Sequence, residues 1–252
     1  MKKLSTSKQM AINMVAAIVS FLIGTGINFV LAPYLVKELG SETYGFIGLA
    51  NNFVQYATIV TSALNSMSGR FISIEYSKGN IDKASRYFSS VLVADLIIAG
   101  VLLLVSSIIT FNIEFILNVP ENLVDSVKIL FALTFATFII SVITAIFTTA
   151  AFVKNKLYIN SLRDIASNTL KLLLVVILFS FFPAKVYFLA MASLASGIFL
   201  LLTNIKVKKK ILPEVKMNFN LFSFNSFLYN NFCNFFCCCF LCRWLLCCHI
   251  VS

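Results

Sequence analysis

Long apolar runs recur along this chain, joined by short connections that hold most of its charges. The runs lie at about 10–33, 44–68, 89–110, 127–150, 157–182 and 186–204. Wound as a helix, the first reaches about 36 Å, enough to cross the hydrocarbon of a bilayer. A cleaved leader would also begin with a basic start and an apolar stretch. The length of this stretch and the five that follow argue against it. Inside lipid each segment must satisfy its own backbone N–H and C=O groups, so spans of this length fold as helices. Composition points the same way. Of 252 residues 60% are hydrophobic and 12% charged, with a mean hydropathy of +0.93, against about 25% charged in a soluble domain. The expectation is an all-α integral membrane fold, with six transmembrane helices forming one bundle over residues 1–216.

The net charge of +10 would suit a nucleic-acid partner, but its distribution excludes one. Segments 1–8, 70–87, 154–163 and 206–216 hold fifteen Lys or Arg. The alternate connections hold three (Lys37, Lys128 and Lys185) beside Glu38, Glu42, Glu114, Glu121 and Asp125. By the positive-inside rule both ends of residues 1–216 are cytoplasmic, the amino terminus included. The basic tract 206–210 reads as a stop and a contact with membrane lipid headgroups.

Local signals refine the spans. Gly24 and Gly26 allow close helix contact, and Pro33 is expected to end or kink the first span. Gly40 suits a helix stop and Ser41 the cap of the next helix. Residues 70–87 read as a short interfacial helix pair broken at Gly79–Asn80. Ala192, Ser193, Ala195, Ser196 and Gly197 suit close packing of the sixth span.

The second span carries the functional signal. Asn51, Gln55, Thr58, Ser62 and Asn65 follow at steps of 4, 3, 4 and 3, which stacks them on one helix face. A polar stripe is costly against lipid, so it is expected to face protein or a water-filled cavity. Thr134, Thr137, Ser141, Thr144 and Thr148 form a similar stripe on the fourth span, where hydroxyls bonded back to their own helix explain the pattern equally well. Asn28 on the first span and the Asp164, Asn168 and Lys171 face of the fifth complete a candidate cavity. A charge at the depth of Lys171 costs about 2.5–3.5 kcal/mol on insertion scales. An ion pair with Asp164 or Asp95, snorkelling of the long side chain toward the interface, or contact with an anionic ligand would retain it. Arg163 reads as an anchor at the cytoplasmic edge.

Residues 217–252 break with the rest. All seven cysteines lie between Cys233 and Cys248, beside the single Trp244 and His249, in an irregular Phe- and Cys-rich tail. A zinc site among Cys239, Cys242, Cys247, Cys248 and His249 would place its ligands among Phe and Leu rather than in a polar turn. An irregular seventh span or a lipid-modified surface segment is a second reading. A shifted reading frame or truncated gene end is the favoured one. No motif asks for a cofactor or a metal. The phosphate-loop, serine-hydrolase and zinc-protease signatures are absent, so an enzyme is the weakest function class.

Asn28, Pro33-Tyr34-Leu35, Leu39-Gly40, Tyr44-Gly45 and Arg70 together resemble the amino-terminal signature of polysaccharide-biosynthesis flippases, within the multidrug/oligosaccharidyl-lipid/polysaccharide exporter superfamily. Lys83, Arg86-Tyr87-Phe88-Ser89-Ser90 and Asn155-Lys156-Leu157 extend the likeness over roughly residues 8–215. The resemblance implies two facing six-helix bundles with alternating access, of which this chain supplies one, half of a two-bundle transporter. It implies a polyprenyl-diphosphate-linked oligosaccharide as cargo, moved outward across a bacterial plasma membrane. Polar cavity faces would meet sugar hydroxyls, and Lys171 the diphosphate. Activity would then need another copy or a second bundle. A cation-coupled drug exporter of the same superfamily and a non-transport membrane assembly protein are the rival readings.

Overall fold

The computed structural model describes residues 6–117, 119–120, 123–183 and 185–215; the expected tail 217–252 lies outside them. Among the described residues the fold is all helix: α1 Thr6–Leu39, α2 Ser41–Ser77, α3 Ile81–Phe111, α4 Ile113–Ile116, α5 Val124–Val153, α6 Tyr158–Phe181 and α7 Tyr187–Ile211. Four of the expected spans lie within one of the six long helices; 157–182 overruns α6 by one residue at each end, and 186–204 overruns α7 by one at its start. Five of those six helices, all but α2, are long and apolar enough to cross a membrane. The expected six spans are therefore five by composition. The Asn, Gln, Ser and Thr stripe dilutes the hydropathy of α2, which packs among the others against α3 and α5.

Glycine sets two of the joints. Gly40 takes a φ of +81°, the left-handed conformation that ends α1, and its N–H donates to Val36 O at 3.0 Å. Ser41, expected as a cap, is instead the first residue of α2, and its side chain makes no cap. Helix α1 runs through Pro33 to Leu39, so Pro33 does not end it. Gly79, also at +81°, separates α2 from α3. The expected interfacial pair is thus the continuation of these two helices beyond the bilayer, since 37 residues of α2 make about 55 Å of helix. At that turn Glu75 accepts from Asn80 Nδ2 at 3.0 Å and Lys78 Nζ at 3.2 Å. These donors, Asn80 first, hold its carboxyl below the usual glutamate range.

The helices form a ring. Helix α5 packs on α2, α3 and α7; α7 packs on α6, and α6 on α1. The ring closes between α1 and α2, which meet over a short stretch. Two apolar plates hold it at its ends. Leu31, Leu35, Phe46, Ile47, Leu130, Phe131 and Leu189 fill the end near the α1–α2 turn. Ile72, Phe88, Leu92, Ile146, Phe147 and Leu212 fill the end near the basic loops. Asn13 ties α1 to the α5–α6 joint: its Nδ2 donates to Asn155 O at 3.1 Å and Oδ1 at 2.9 Å, and its Oδ1 accepts from Tyr158 N at 3.1 Å.

Candidate functional site

Between the plates the ring encloses polar side chains among apolar ones. The main cavity, about 470 Å³, lies between α2, α5, α6 and α7. A second of about 420 Å³ adjoins it under the α1–α2 seam, and a third of about 460 Å³ lies between α1 and α6. Asn51 and Lys171 line both of the first two, Asn168 the first and third, and Asn28 the second and third. Through these shared residues the three form one trough, and each part lies within the size range of ligand pockets.

Most of the expected site residues meet there. Asn51 and Thr58 reach the main cavity from α2, and Gln55 reaches the second. Asn168 and Lys171 enter from α6, and Asp164 lines the α1–α6 part with Asn28. Two do not converge. The Ser62 hydroxyl is exposed and donates to Ile59 O at 3.0 Å, and Asn65 turns to α3, where its Nδ2 meets Asp95 Oδ1 at 3.3 Å. Neither lines the trough. The absence of a Cβ at Gly24 brings α1 close to α6: a built Cβ would stand 3.2 Å from Asn168 Nδ2.

The wall from α5 settles what its stripe does. Thr134, Thr137, Ser141, Thr144 and Thr148 all line the main cavity, and each donates its hydroxyl hydrogen to a carbonyl of its own helix at 2.7–2.8 Å. Back-bonding and cavity lining coexist. With the hydrogens committed, each oxygen offers lone pairs to the cavity. Helix α5 is thus an acceptor row, sharing the main cavity with the amide donors of Asn51 and Asn168 and the ammonium of Lys171. Ser193 and Ser196 of α7 join the wall. Their small side chains suit helix packing, and their i, i+3 spacing is the sequence signal that sets both on one lining face.

Lys171 makes no ion pair or hydrogen bond among the described residues. The ion pair with Asp164 or Asp95, one of the alternatives open from the sequence, is not made. Arg163 is not a solvent-facing edge anchor. It is 9% exposed, and its guanidinium donates to Ile159 O at 3.0 Å and to the side-chain oxygens of Asn160 and Asn204, which fastens α6 to α7. No group of three or more His, Cys, Asp or Glu able to hold a metal occurs among the described residues.

Phe29 and Phe181 are about four-fifths exposed on the outer wall, which in water would be an aggregation surface and in a bilayer is the lipid face. An apolar outer wall around a polar trough defines a multi-pass helical membrane protein. The sequence profile of the family described as "Polysaccharide biosynthesis protein" matches residues 10–233, and the chain belongs to that family. The match runs past residue 216, where the bundle was expected to end. The chain is similar to the "Uncharacterized membrane protein EpsK" of Bacillus subtilis (strain 168), with 32% identity over 202 residues, 80% of this chain and 40% of the relative. It therefore spans less than half of that relative's length. No solved structure matches the chain.

Proposed function

We propose that the chain forms one helical bundle of a flippase that carries a polyprenyl-diphosphate-linked oligosaccharide outward across a bacterial plasma membrane, with its amino terminus in the cytoplasm. The carrying observation is Lys171, a cation with no partner among the described residues, set in a trough where the amides of Asn51, Gln55 and Asn168 and the hydroxyls of α5 stand among apolar side chains. Amides and hydroxyl oxygens suit sugar hydroxyls, and a lone ammonium suits a diphosphate. Transport needs no covalent step, so the role assigned is a carrier's rather than an enzyme's. The trough is open on the side of Asn28, Asn51 and Gln55, all exposed, so a second, different bundle supplies the facing wall.

The test is complementation. In a strain lacking its own flippase, the 252-residue chain is expected to restore surface polysaccharide only when co-expressed with a facing bundle. Restoration by the chain alone would refute the facing-wall requirement. Failure in every combination, with the protein present in the membrane, would refute the cargo.

A further inference from the structure

Below the trough, the α2 stripe ends on a buried carboxyl. Asp95 of α3 is 1% exposed, and its Oδ1 accepts from Asn65 Nδ2 at 3.3 Å. Two buried atoms of this contact, Asp95 Oδ2 and Asn65 Oδ1, have no hydrogen-bond partner. Both are acceptors when the carboxyl is ionised, so two oxygens stand orphaned at one contact. No cation offsets them. Asp95 enters no ion pair among the described residues, where the ion pairs are Glu75 with Lys78, Glu114 with Lys128 and Glu214 with Lys154.

The charged groups of the elements packed against Asp95 all lie toward their ends. On α2 these are Glu42, Arg70 and Glu75. On α3 they are Asp82, Lys83 and Arg86, and on α5 Asp125 and Lys128, with Lys154 just beyond. An isolated carboxylate in an apolar surround is unfavourable enough that the group takes up a proton instead. One proton would satisfy both orphans at once: an O–H at Asp95 Oδ2 donates to Asn65 Oδ1 while Asn65 Nδ2–H donates to Asp95 Oδ1. That is the closed ring of a carboxylic acid–amide pair.

We propose that Asp95 and Asn65 form a proton-binding site that holds α2 against α3. Loss of the proton leaves two oxygens confronting each other across the helix contact, so deprotonation and separation of α2 from α3 are linked events. Because α2 carries Asn51, Gln55 and Thr58 into the trough, the occupancy of this site bears on the position of one trough wall. The site stands independently of what the trough carries.

The test uses the full chain in lipid vesicles at neutral pH, read by infrared difference spectroscopy. The wild-type chain is expected to show a protonated-carboxyl C=O band that disappears in Asp95→Asn. In Asn65→Leu the band should shift to the higher frequency of an unbonded acid, which burial alone would not produce. The wild-type chain labelled with 13C-aspartate, which has four aspartates, gives the same answer by solid-state NMR should Asp95→Asn fail to fold. One of the four carboxyl signals should keep its protonated shift at neutral pH. Four ionised aspartates, or a band indifferent to Asn65→Leu, would overturn the proposal.

Discussion

Replacing Lys171 with Met separates a ligand-binding cation from a structural one by two effects of opposite sign. Methionine keeps most of the side-chain length and removes the charge. Charge-assisted hydrogen bonds contribute about 1.5–3 kcal/mol net, so loss of the ammonium should weaken diphosphate binding about 10- to 150-fold. The folded chain should not suffer, because Lys171 has no ion pair to break. Removing a charge from a membrane helix relieves at most about 2.5–3.5 kcal/mol of insertion cost, and less where the group faces a wet trough. The variant should therefore keep or raise its melting temperature in detergent while binding of a radiolabelled short-chain polyprenyl diphosphate falls. Lys171→Arg, which restores the charge, should stay within a few-fold of wild type. Unchanged binding by Lys171→Met, or a clear loss of thermal stability, would refute the reasoning, since either would make Lys171 a packing residue.

Asn13→Leu removes three hydrogen bonds between α1 and the α5–α6 joint. At about 0.6 kcal/mol per interhelical bond in membranes the loss is about 2 kcal/mol, and a change under about 0.5 kcal/mol in reversible unfolding would contradict it. Cysteines introduced at Asn51 and Gln55, in a background whose native cysteines are serine, should react with a membrane-impermeant thiol reagent, while one at Leu104 on the lipid face should not. Protection at 51 and 55 would mean the trough is dry. Glu75 should titrate below an ordinary glutamate. Its stabilising contacts with Asn80 and Lys78 are present above the unfolded pKa and are lost as the pH falls through the lower folded value. Asn80→Ala should move the titration back up, and NMR of the Glu75 carboxyl reads it.

The sequence revealed the helices because lipid allows few alternatives, and it revealed the joints because only glycine readily takes the φ seen at Gly40 and Gly79. The site was half legible. Periodicity fixes the azimuth of a stripe but not what stands opposite each position. The α2 stripe passes the trough at Asn51, Gln55 and Thr58, then α3 at Asn65, because neighbouring helices change along its length. Partners far apart in sequence are less visible still. Nothing local marks Asn204 as the acceptor for Arg163, 41 residues away, so from the sequence alone Arg163 reads only as an anchor at the cytoplasmic edge. Seryl residues such as Ser193 read equally as packing or as lining, and only the neighbouring helix decides.

The two apolar plates limit how the trough can open. Parting a plate toward water exposes leucines and phenylalanines at about 1.5–3 kcal/mol per side chain. Parting the ring sideways toward lipid exchanges apolar protein neighbours for acyl chains, which are about as apolar, so that term nearly vanishes. The ring is weakest between α1 and α2, where Leu31, Leu35 and Ile47, at the edge of one plate, line the second cavity with Ala32 beside Asn28, Asn51 and Lys171, so that edge parts toward lipid rather than toward water. A lateral opening there would admit the proposed cargo, a molecule with a polar head and a long apolar tail, with the head in the trough and the tail remaining in the bilayer. Bridging the seam with a thiol cross-linker between cysteines placed at Ala32 and Ile47 should therefore abolish transport in the complementing assembly, and cleaving the linker should restore it. Transport that continues with the seam bridged would place the entrance at one of the apolar plates, where opening is dearer and a tail would have to leave the lipid.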